Sequence, residues 1–364
     1  MPAHMDSDPP SSSGRSGWHR LLIGLLSLFC FVAGLQLLRS ATATLTPELG
    51  TLFDHYVRGG LPTLGFSWLT SYVLTNGSVA AAIAVTYFES GLLDASNLLL
   101  MVGGTRLGGA GIVILIGIFD YLFHRETSLR RACSMGVLVF VVTHLASIPA
   151  TGLGYAWVWL RPTWLSGSLG IDALQIPLPA SFDFIADSVT GALGAMPTFA
   201  FGLVGLMGSL KLFDAILETG DSTALRARIT HALSSRWVAF LLGVIVTSLT
   251  LSVAFSLGLL VPLYNRERIS DELLIPYILG ANIGTLADTF VVALIIERAG
   301  AVSVMLSFVG ALFVTTLLLL ALFRPVNRLT LNIQDWTTRN DRNFILFAVS
   351  VILVPILMLA VGFV

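Results

Sequence analysis

The chain has 364 residues, of which 55% are hydrophobic and 11% charged, and its formal net charge is −1. Soluble globular domains carry about 25% charged residues, so this composition excludes an ordinary soluble domain and predicts an integral membrane protein. The chain shows no nucleic-acid-binding pattern, and both cysteines, Cys30 and Cys133, lie in apolar segments, which argues against disulfides and thiolate metal sites.

The predicted elements begin with a disordered cytoplasmic tail, residues 1–18, which is rich in Ser, Pro and Asp. The apolar segment that follows is longer than a signal-peptide core and lacks a clear cleavage site, so it is predicted to be a retained helix. A membrane-spanning helix needs about 20 mostly apolar residues. Seven segments meet that requirement: 19–38, 97–122, 131–152, 190–217, 274–297, 301–323 and 342–364.

Two further apolar stretches, 61–93 and 236–263, each contain two pieces that are too short to cross a bilayer alone. Polar residues 75–78 separate the pieces of the first stretch, and a hydroxyl-rich zone, 247–256, separates those of the second. We interpret each stretch as a re-entrant helical hairpin. Protein must surround its tip, because lipid cannot satisfy the exposed polar groups of the backbone.

The distribution of arginines supports this map. With the N-terminus in the cytoplasm and both hairpins returning to the side they enter, fourteen arginines are cytoplasmic and four are outside, as the positive-inside rule requires. The two hairpins then enter from opposite sides, and this arrangement is an inverted repeat. The predicted units are the tail 1–18, membrane repeat 1 at 19–152, an outer loop at 153–189, the inverted membrane repeat 2 at 190–323, and a cytoplasmic linker with an extra C-terminal transmembrane helix at 324–364.

Two glycine-containing motifs, Gly104–Gly108 (GTRLG) and Gly280–Gly284 (GANIG), lie 176 residues apart. Matching interruptions in two halves of a chain are typical of the broken helices that line transporter sites. Backbone carbonyls near Gly280 and Gly284, with the side chains of Asn282 and Thr285, could supply the oxygen ligands that Na⁺ prefers. The alternative is a Gly-xxx-Gly packing face, which is common between membrane helices.

Arg106 and Asp288 are among the charged residues within predicted spans, where charge is costly and usually faces a polar interior. Asp288 could bind Na⁺, carry a proton or pair with Arg106. Arg106 takes the place that Asn282 has in the second motif. Its guanidinium could hold an anion or replace a bound cation, or it could form a structural salt bridge with Asp288 or Glu89.

The first hairpin tip, Thr75-Asn76-Gly77-Ser78, is polar, and helix N-termini that meet there would favour an anion. The alternative is a plain turn, because Asn-Gly is a strong turn signal. The second tip, Leu251-Ser252-Val253-Ala254, is less polar, and Ser252 is its candidate anion ligand.

At these motifs the chain resembles the sodium–phosphate cotransporter family, the type II proteins and their bacterial relatives. That family carries a Gln-Ser-Ser-Ser hairpin tip and a Gly-Ala-Asn-Ile-Gly-Thr broken helix in each of two inverted repeats. Residues 280–285 match the second motif outright, whereas residues 104–108 keep only its glycines. Thr75 and Leu251 stand at the two Gln positions, so neither Gln is present.

The sequence therefore predicts an all-α integral membrane protein of the cell (inner) membrane, with two inverted-topology repeats that each contain a re-entrant helical hairpin and a broken transmembrane helix. The resemblance implies a secondary active transporter, not an enzyme, that moves a small anion such as phosphate with Na⁺ or H⁺ and needs no other cofactor. Its partners would be the lipid bilayer and the anion, with a homo-oligomer also allowed. The alternative is a transport-inactive relative that serves as a receptor, scaffold or accessory subunit. The candidate anion ligands are Thr75, Asn76, Gly77, Ser78, Arg106 and Ser252, and the candidate cation ligands are Gly280, Asn282, Gly284, Thr285 and Asp288, with Asn282 and Thr285 as the Na⁺ ligands.

Overall fold

The computed structural model describes residues 13–57, 59–124, 129–160, 175–218, 235–260, 269–296, 298 and 300–363, and it is helical almost throughout. In chain order the α-helices of these residues are α1 (Ser13–Tyr56), α2 (Gly60–Leu74), α3 (Gly77–Glu89), α4 (Ala95–His124), α5 (Leu129–Leu160), α6 (Ala180–Leu193), α7 (Ala195–Glu218), α8 (Arg236–Thr250), α9 (Val253–Gly258), α10 (Asp271–Gly284), α11 (Leu286–Ile295), α12 (Ala301–Ala321), α13 (Phe323–Thr338) and α14 (Asp341–Ala360). A short 3₁₀ turn, Val361–Phe363, follows α14.

Seven apolar helical segments in the described part of the chain are long enough to cross a membrane, and each predicted span falls on one of them. The prediction of an all-helical membrane protein is therefore confirmed. The first helix is longer than expected, since α1 continues to Tyr56. Of the predicted tail, residues 13–18 belong to α1, and residues 1–12 lie outside the described residues.

The two predicted hairpins correspond to two pairs of short helices. The first stretch forms α2 and α3, of 15 and 13 residues, and the second forms α8 and α9, of 15 and 6 residues. Residues 261–263 of the second stretch lie outside the described residues. At 1.5 Å per residue a 15-residue helix is about 22 Å long, shorter than the roughly 30 Å hydrocarbon core.

The prediction of a broken helix in the first half is wrong, because α4 runs without interruption from Ala95 to His124. In the second half the interruption is a single residue, Thr285, between α10 and α11. The predicted outer loop contains the end of α5 and the start of α6, with residues 161–174 outside the described part. The span expected at 190–217 is divided at Gly194, whose φ of +85° suits glycine. The linker after residue 323 is helical, as α13.

The glycines of both motifs bring helix backbones into direct contact. A Cβ atom at Gly280 would lie 2.0 Å from the carbonyl oxygen of Phe240, so only glycine permits α10 to approach α8 this closely. The same contact recurs between α4 and α2. The four pairs are Gly104 with Leu64, Gly108 with Trp68, Gly280 with Phe240 and Gly284 with Val244, and adding 176 to both members of a first-half pair gives a second-half pair.

Other helices enclose this arrangement. Helix α1 packs against α7, where a Cβ atom at Gly34 would lie 2.8 Å from the backbone nitrogen of Leu206. Helix α14 packs on α2 at Gly65, where an added Cβ atom would lie 2.6 Å from the carbonyl oxygen of Pro355. The buried face of α13 packs on α5, and Gln334 donates a hydrogen bond from Nε2 to the Ser134 carbonyl at 3.1 Å.

Candidate functional site

The turn between α2 and α3, which we call the first turn (residues 75–76), combines a left-handed residue with a helix cap. Thr75 has φ 50° and ψ 24°, a conformation that β-branched residues rarely adopt. Asn76 then caps α3, because its Oδ1 accepts the backbone N–H groups of Ser78 and Val79 at 2.9 and 3.1 Å. The sequence Thr-Asn-Gly therefore ends α2 and starts α3 at once.

The turn between α8 and α9, the second turn (residues 251–252), has the same construction. Leu251 is left-handed, with φ 51° and ψ 15°, and Ser252 caps α9 by accepting the Phe255 N–H at 3.1 Å. Thr75 corresponds to Leu251 and Asn76 to Ser252, both at a spacing of 176 residues. The two turns are therefore related by the same 176-residue spacing as the glycine contacts.

The left-handed residues of these turns should store strain. Replacing Thr75 or Leu251 with glycine removes a steric cost of roughly 1 kcal/mol, so T75G and L251G are expected to raise the unfolding temperature of the purified protein. Thr70→Gly is the matched control, because Thr70 lies inside α2 in a helical conformation and glycine there costs up to about 1 kcal/mol. Equal destabilisation by T75G and T70G would show that the turn is not strained.

A cavity of about 180 Å³ lies between the two turns, and we call it the central cavity. Its walls come from both turns and from α4, α5, α7, α9 and α10. Since a single water needs only about 10–15 Å³ measured this way, the space is ample for a hydrated small anion. The predicted site residues that line it are Thr75, Asn76, Gly77, Ser78, Arg106, Ser252, Asn282 and Thr285.

Three predicted site residues do not line this cavity. Gly280 and Gly284 face α8, and their close contacts bear out the packing role that sequence left open for them. The Thr285 N–H donates to the Ala281 carbonyl at 3.0 Å. The interruption at Thr285 therefore does not free this carbonyl to bind a ligand. Asp288 lies nearby and shares with Ser78 a smaller cavity of about 10 Å³, otherwise lined by apolar side chains.

Among the described residues that line the central cavity, Arg106 supplies the positive charge. Its side chain is only 7% exposed, and its Nε has no hydrogen-bond partner among the described residues. Arg106 and Asp288 form no direct ion pair, although their charges interact across the space between them. Glu89, the other suggested partner, instead pairs with Arg39 at 2.7 Å between Oε1 and Nε.

Asn282 corresponds to Arg106 at the 176-residue spacing and is 8% exposed. The Thr143 hydroxyl donates to Asn282 Oδ1 at 3.1 Å, whereas the buried Nδ2 donor has no partner among the described residues. The Thr285 hydroxyl donates to the Asn282 carbonyl at 3.0 Å. The Oδ1 atom that sequence assigned to Na⁺ therefore accepts one hydrogen bond and keeps a second lone pair.

The Asp288 carboxylate is 4% exposed and only half satisfied. Its Oδ1 accepts the N–H of Thr289 and also the Thr289 hydroxyl, the latter at 2.9 Å. Its Oδ2 has no hydrogen-bond partner in the described part of the protein, although the Ser78 side chain lies close enough to interact with the carboxylate. A buried carboxylate oxygen of this kind needs a proton, a cation or a donor to offset its desolvation.

Sequence reasoning missed the contributions of α5 and α7. Thr143 from α5 and Phe213 and Asp214 from α7 also line the central cavity. Thr143 carries no signal in the sequence beyond a hydroxyl within an apolar span. Asp214 was detectable as a carboxylate near the end of a predicted span, since such residues usually face a polar interior.

Part of the chain matches a known protein family. Residues 206–330 match the family described as Na+/Pi-cotransporter. The matched segment includes the second turn, Asn282, Thr285 and Asp288, and it excludes the first turn and Arg106. Searches of curated proteins and of solved structures gave no match.

Proposed function

Because the family match supports membership in the Na+/Pi-cotransporter family, we propose that the chain is a secondary active transporter, not an enzyme, that carries a small anion through the central cavity. Inorganic phosphate is the first candidate. The observation that carries this proposal is a guanidinium only 7% exposed, in the wall of a cavity bounded by turns from both halves of the chain. Burying an arginine is expensive, so its charge implies a recurrent anionic partner.

Three features favour an anion in this cavity. Arg106 supplies a permanent charge and a planar fork of donors that matches an oxyanion. The N-terminus of α3 opens onto the same space at Gly77 and Ser78, where the positive end of the helix dipole adds to the field. The hydroxyl-bearing side chains of the wall can bond to anion oxygens.

The coupling cation is proposed to bind at Asp288, as Na⁺ or H⁺. The unpartnered Asp288 Oδ2 supplies the negative charge, and Ser78 and Thr285 provide nearby hydroxyl oxygens. Gly280 and Gly284 have no place in this site, because they pack against α8. Ser78 lines both cavities, so it offers a physical link between the anion and the cation.

Alternating access would move two inverted repeats around these sites. The repeat is supported by the 176-residue spacing that relates the glycine contacts and the two capped left-handed turns. The opposite membrane orientation of the halves, the re-entrant hairpins and the cytoplasmic N-terminus rest on the arginine distribution. In this arrangement the two turns approach the middle of an inner membrane from opposite sides.

Uptake by proteoliposomes tests this function. Labelled phosphate should accumulate when a Na⁺ or proton gradient is imposed, and Asp288→Asn should abolish the gradient dependence by removing the negative charge. Asp335→Asn is the matched control, because Asp335 is an exposed carboxylate on α13. If no anion in a panel is bound or moved under any gradient, the chain is a transport-inactive relative, such as a receptor or accessory subunit.

A further inference from the structure

Two corresponding side chains each carry a buried donor without an acceptor. Arg106 Nε and Asn282 Nδ2 have no hydrogen-bond partner among the described residues, and both residues are more than nine-tenths buried. They stand 176 residues apart at the same place in their motifs, and both line the central cavity. Each half of the chain therefore brings one unsatisfied donor side chain to this space.

Unsatisfied buried donors are rare in proteins, since each costs roughly 1–3 kcal/mol when its water is removed. Two of them on one cavity wall indicate an acceptor that binds there. A cation cannot fill this role, because Arg106 and the amide nitrogen present only hydrogens. An oxyanion can, because each of its oxygens accepts hydrogen bonds and its charge offsets that of the guanidinium.

Helix α5 supplies a hydrogen-bond partner for the Asn282 amide. The Thr143 hydroxyl donates to Asn282 Oδ1, so the carbonyl oxygen of the side chain is held by α5 and the NH₂ group is left unpaired. Thr143 itself is 3% exposed and lines the same cavity. Thr143 thus contacts the oxygen end of the amide, and the Nδ2 end remains for a ligand.

We propose that Arg106 and Asn282 together form a clamp for one oxyanion, in which Asn282 donates from Nδ2 and is not a Na⁺ ligand. This inference rests on the proposed function and specifies its anion site. It changes the role that the sequence suggested for Asn282. It leaves the coupling cation to Asp288 with the hydroxyls of Ser78 and Thr285.

The isosteric substitution Asn282→Asp separates the two roles. It keeps an oxygen for Thr143 and replaces the NH₂ donor with a second oxygen, so a clamp should lose phosphate affinity by at least about tenfold. If Asn282 were a Na⁺ ligand, the substitution would instead retain or strengthen Na⁺ binding, because a carboxylate binds hard cations better than an amide does. Binding of labelled inorganic phosphate to purified protein is measured over a range of Na⁺ at constant ionic strength.

A double variant, T143V together with N282L, guards against a trivial folding defect. It replaces the hydrogen-bonded pair with apolar groups of similar size, so the ligand-free protein should unfold at or above the parent temperature, while phosphate binding falls by at least about tenfold. Unchanged phosphate affinity in N282D and in the double variant overturns the clamp alone. Absence of phosphate binding by the parent overturns the proposed function as well.

Discussion

Replacing Arg106 with glutamine is expected to weaken phosphate binding roughly 10- to 100-fold, because it removes the charge-assisted hydrogen bonds of the cavity wall. The ligand-free protein should unfold within a few degrees of the parent, since Arg106 makes no direct ion pair among the described residues and interacts with Asp288 only at a distance. The effect should therefore fall on binding more than on stability. Titration of phosphate into purified protein and a thermal scan without phosphate measure the two quantities separately.

Arg106→Lys distinguishes charge from geometry at this position. Lysine keeps the positive charge and loses the planar fork, so its phosphate affinity should lie between those of the parent and R106Q. Arg328→Gln is the matched control, because Arg328 is an exposed arginine on α13 and does not line the central cavity. Parent-like phosphate affinity in R106Q would contradict the assignment of the central cavity to an anion.

The second large effect is expected at the glycine contacts between helix backbones. Even Gly280→Ala must push α10 away from α8, because the new Cβ would lie 2.0 Å from the Phe240 carbonyl oxygen. We expect a loss of about 3 kcal/mol, at the upper end of the usual cost of overpacking. The equivalent Gly104→Ala should behave alike, since its Cβ would lie 2.6 Å from the Leu64 carbonyl oxygen.

Gly310→Ala provides the control for these glycine variants. Gly310 lies within α12, and a methyl group added there would meet no neighbouring atom within 4 Å, so alanine should be neutral or should stabilise the helix by up to about 1 kcal/mol. Thermal unfolding of the purified variants in detergent compares them. If G280A is as stable as G310A, the close approach of α8 and α10 is not required for the fold.

The helical architecture could be predicted because it follows from composition and segment length. Charge is so sparse that the long apolar runs can only be membrane helices, and the pieces around Thr75 and Leu251 are too short to be full spans. The 176-residue spacing also singles out Arg106 and Asn282 as a corresponding pair, and both line the central cavity. These inferences rest on local pattern and spacing alone.

The remaining features depend on contacts that no local pattern reveals. A Gly-xxx-Gly motif has the same sequence whether it interrupts a helix or lets two helices pack closely. Gly104 and Gly108 pack against the backbone of α2, and this contact is not visible in the sequence. The partner of Glu89 is Arg39, from a distant helix. The hydrogen-bond partner of the Asn282 side chain is Thr143, 139 residues away in the chain.

Helix α14 makes the two halves unequal neighbours of the bilayer. It lies outside the 176-residue correspondence and packs on α2, whereas a row of large apolar side chains on α8 is exposed: Trp237, Leu241, Ile245 and Leu249. Helix α2 is thus covered by protein on this face, whereas the exposed face of α8 is expected to contact the acyl chains of the lipid. The thickness and fluidity of the surrounding lipid should therefore affect α8 more than α2.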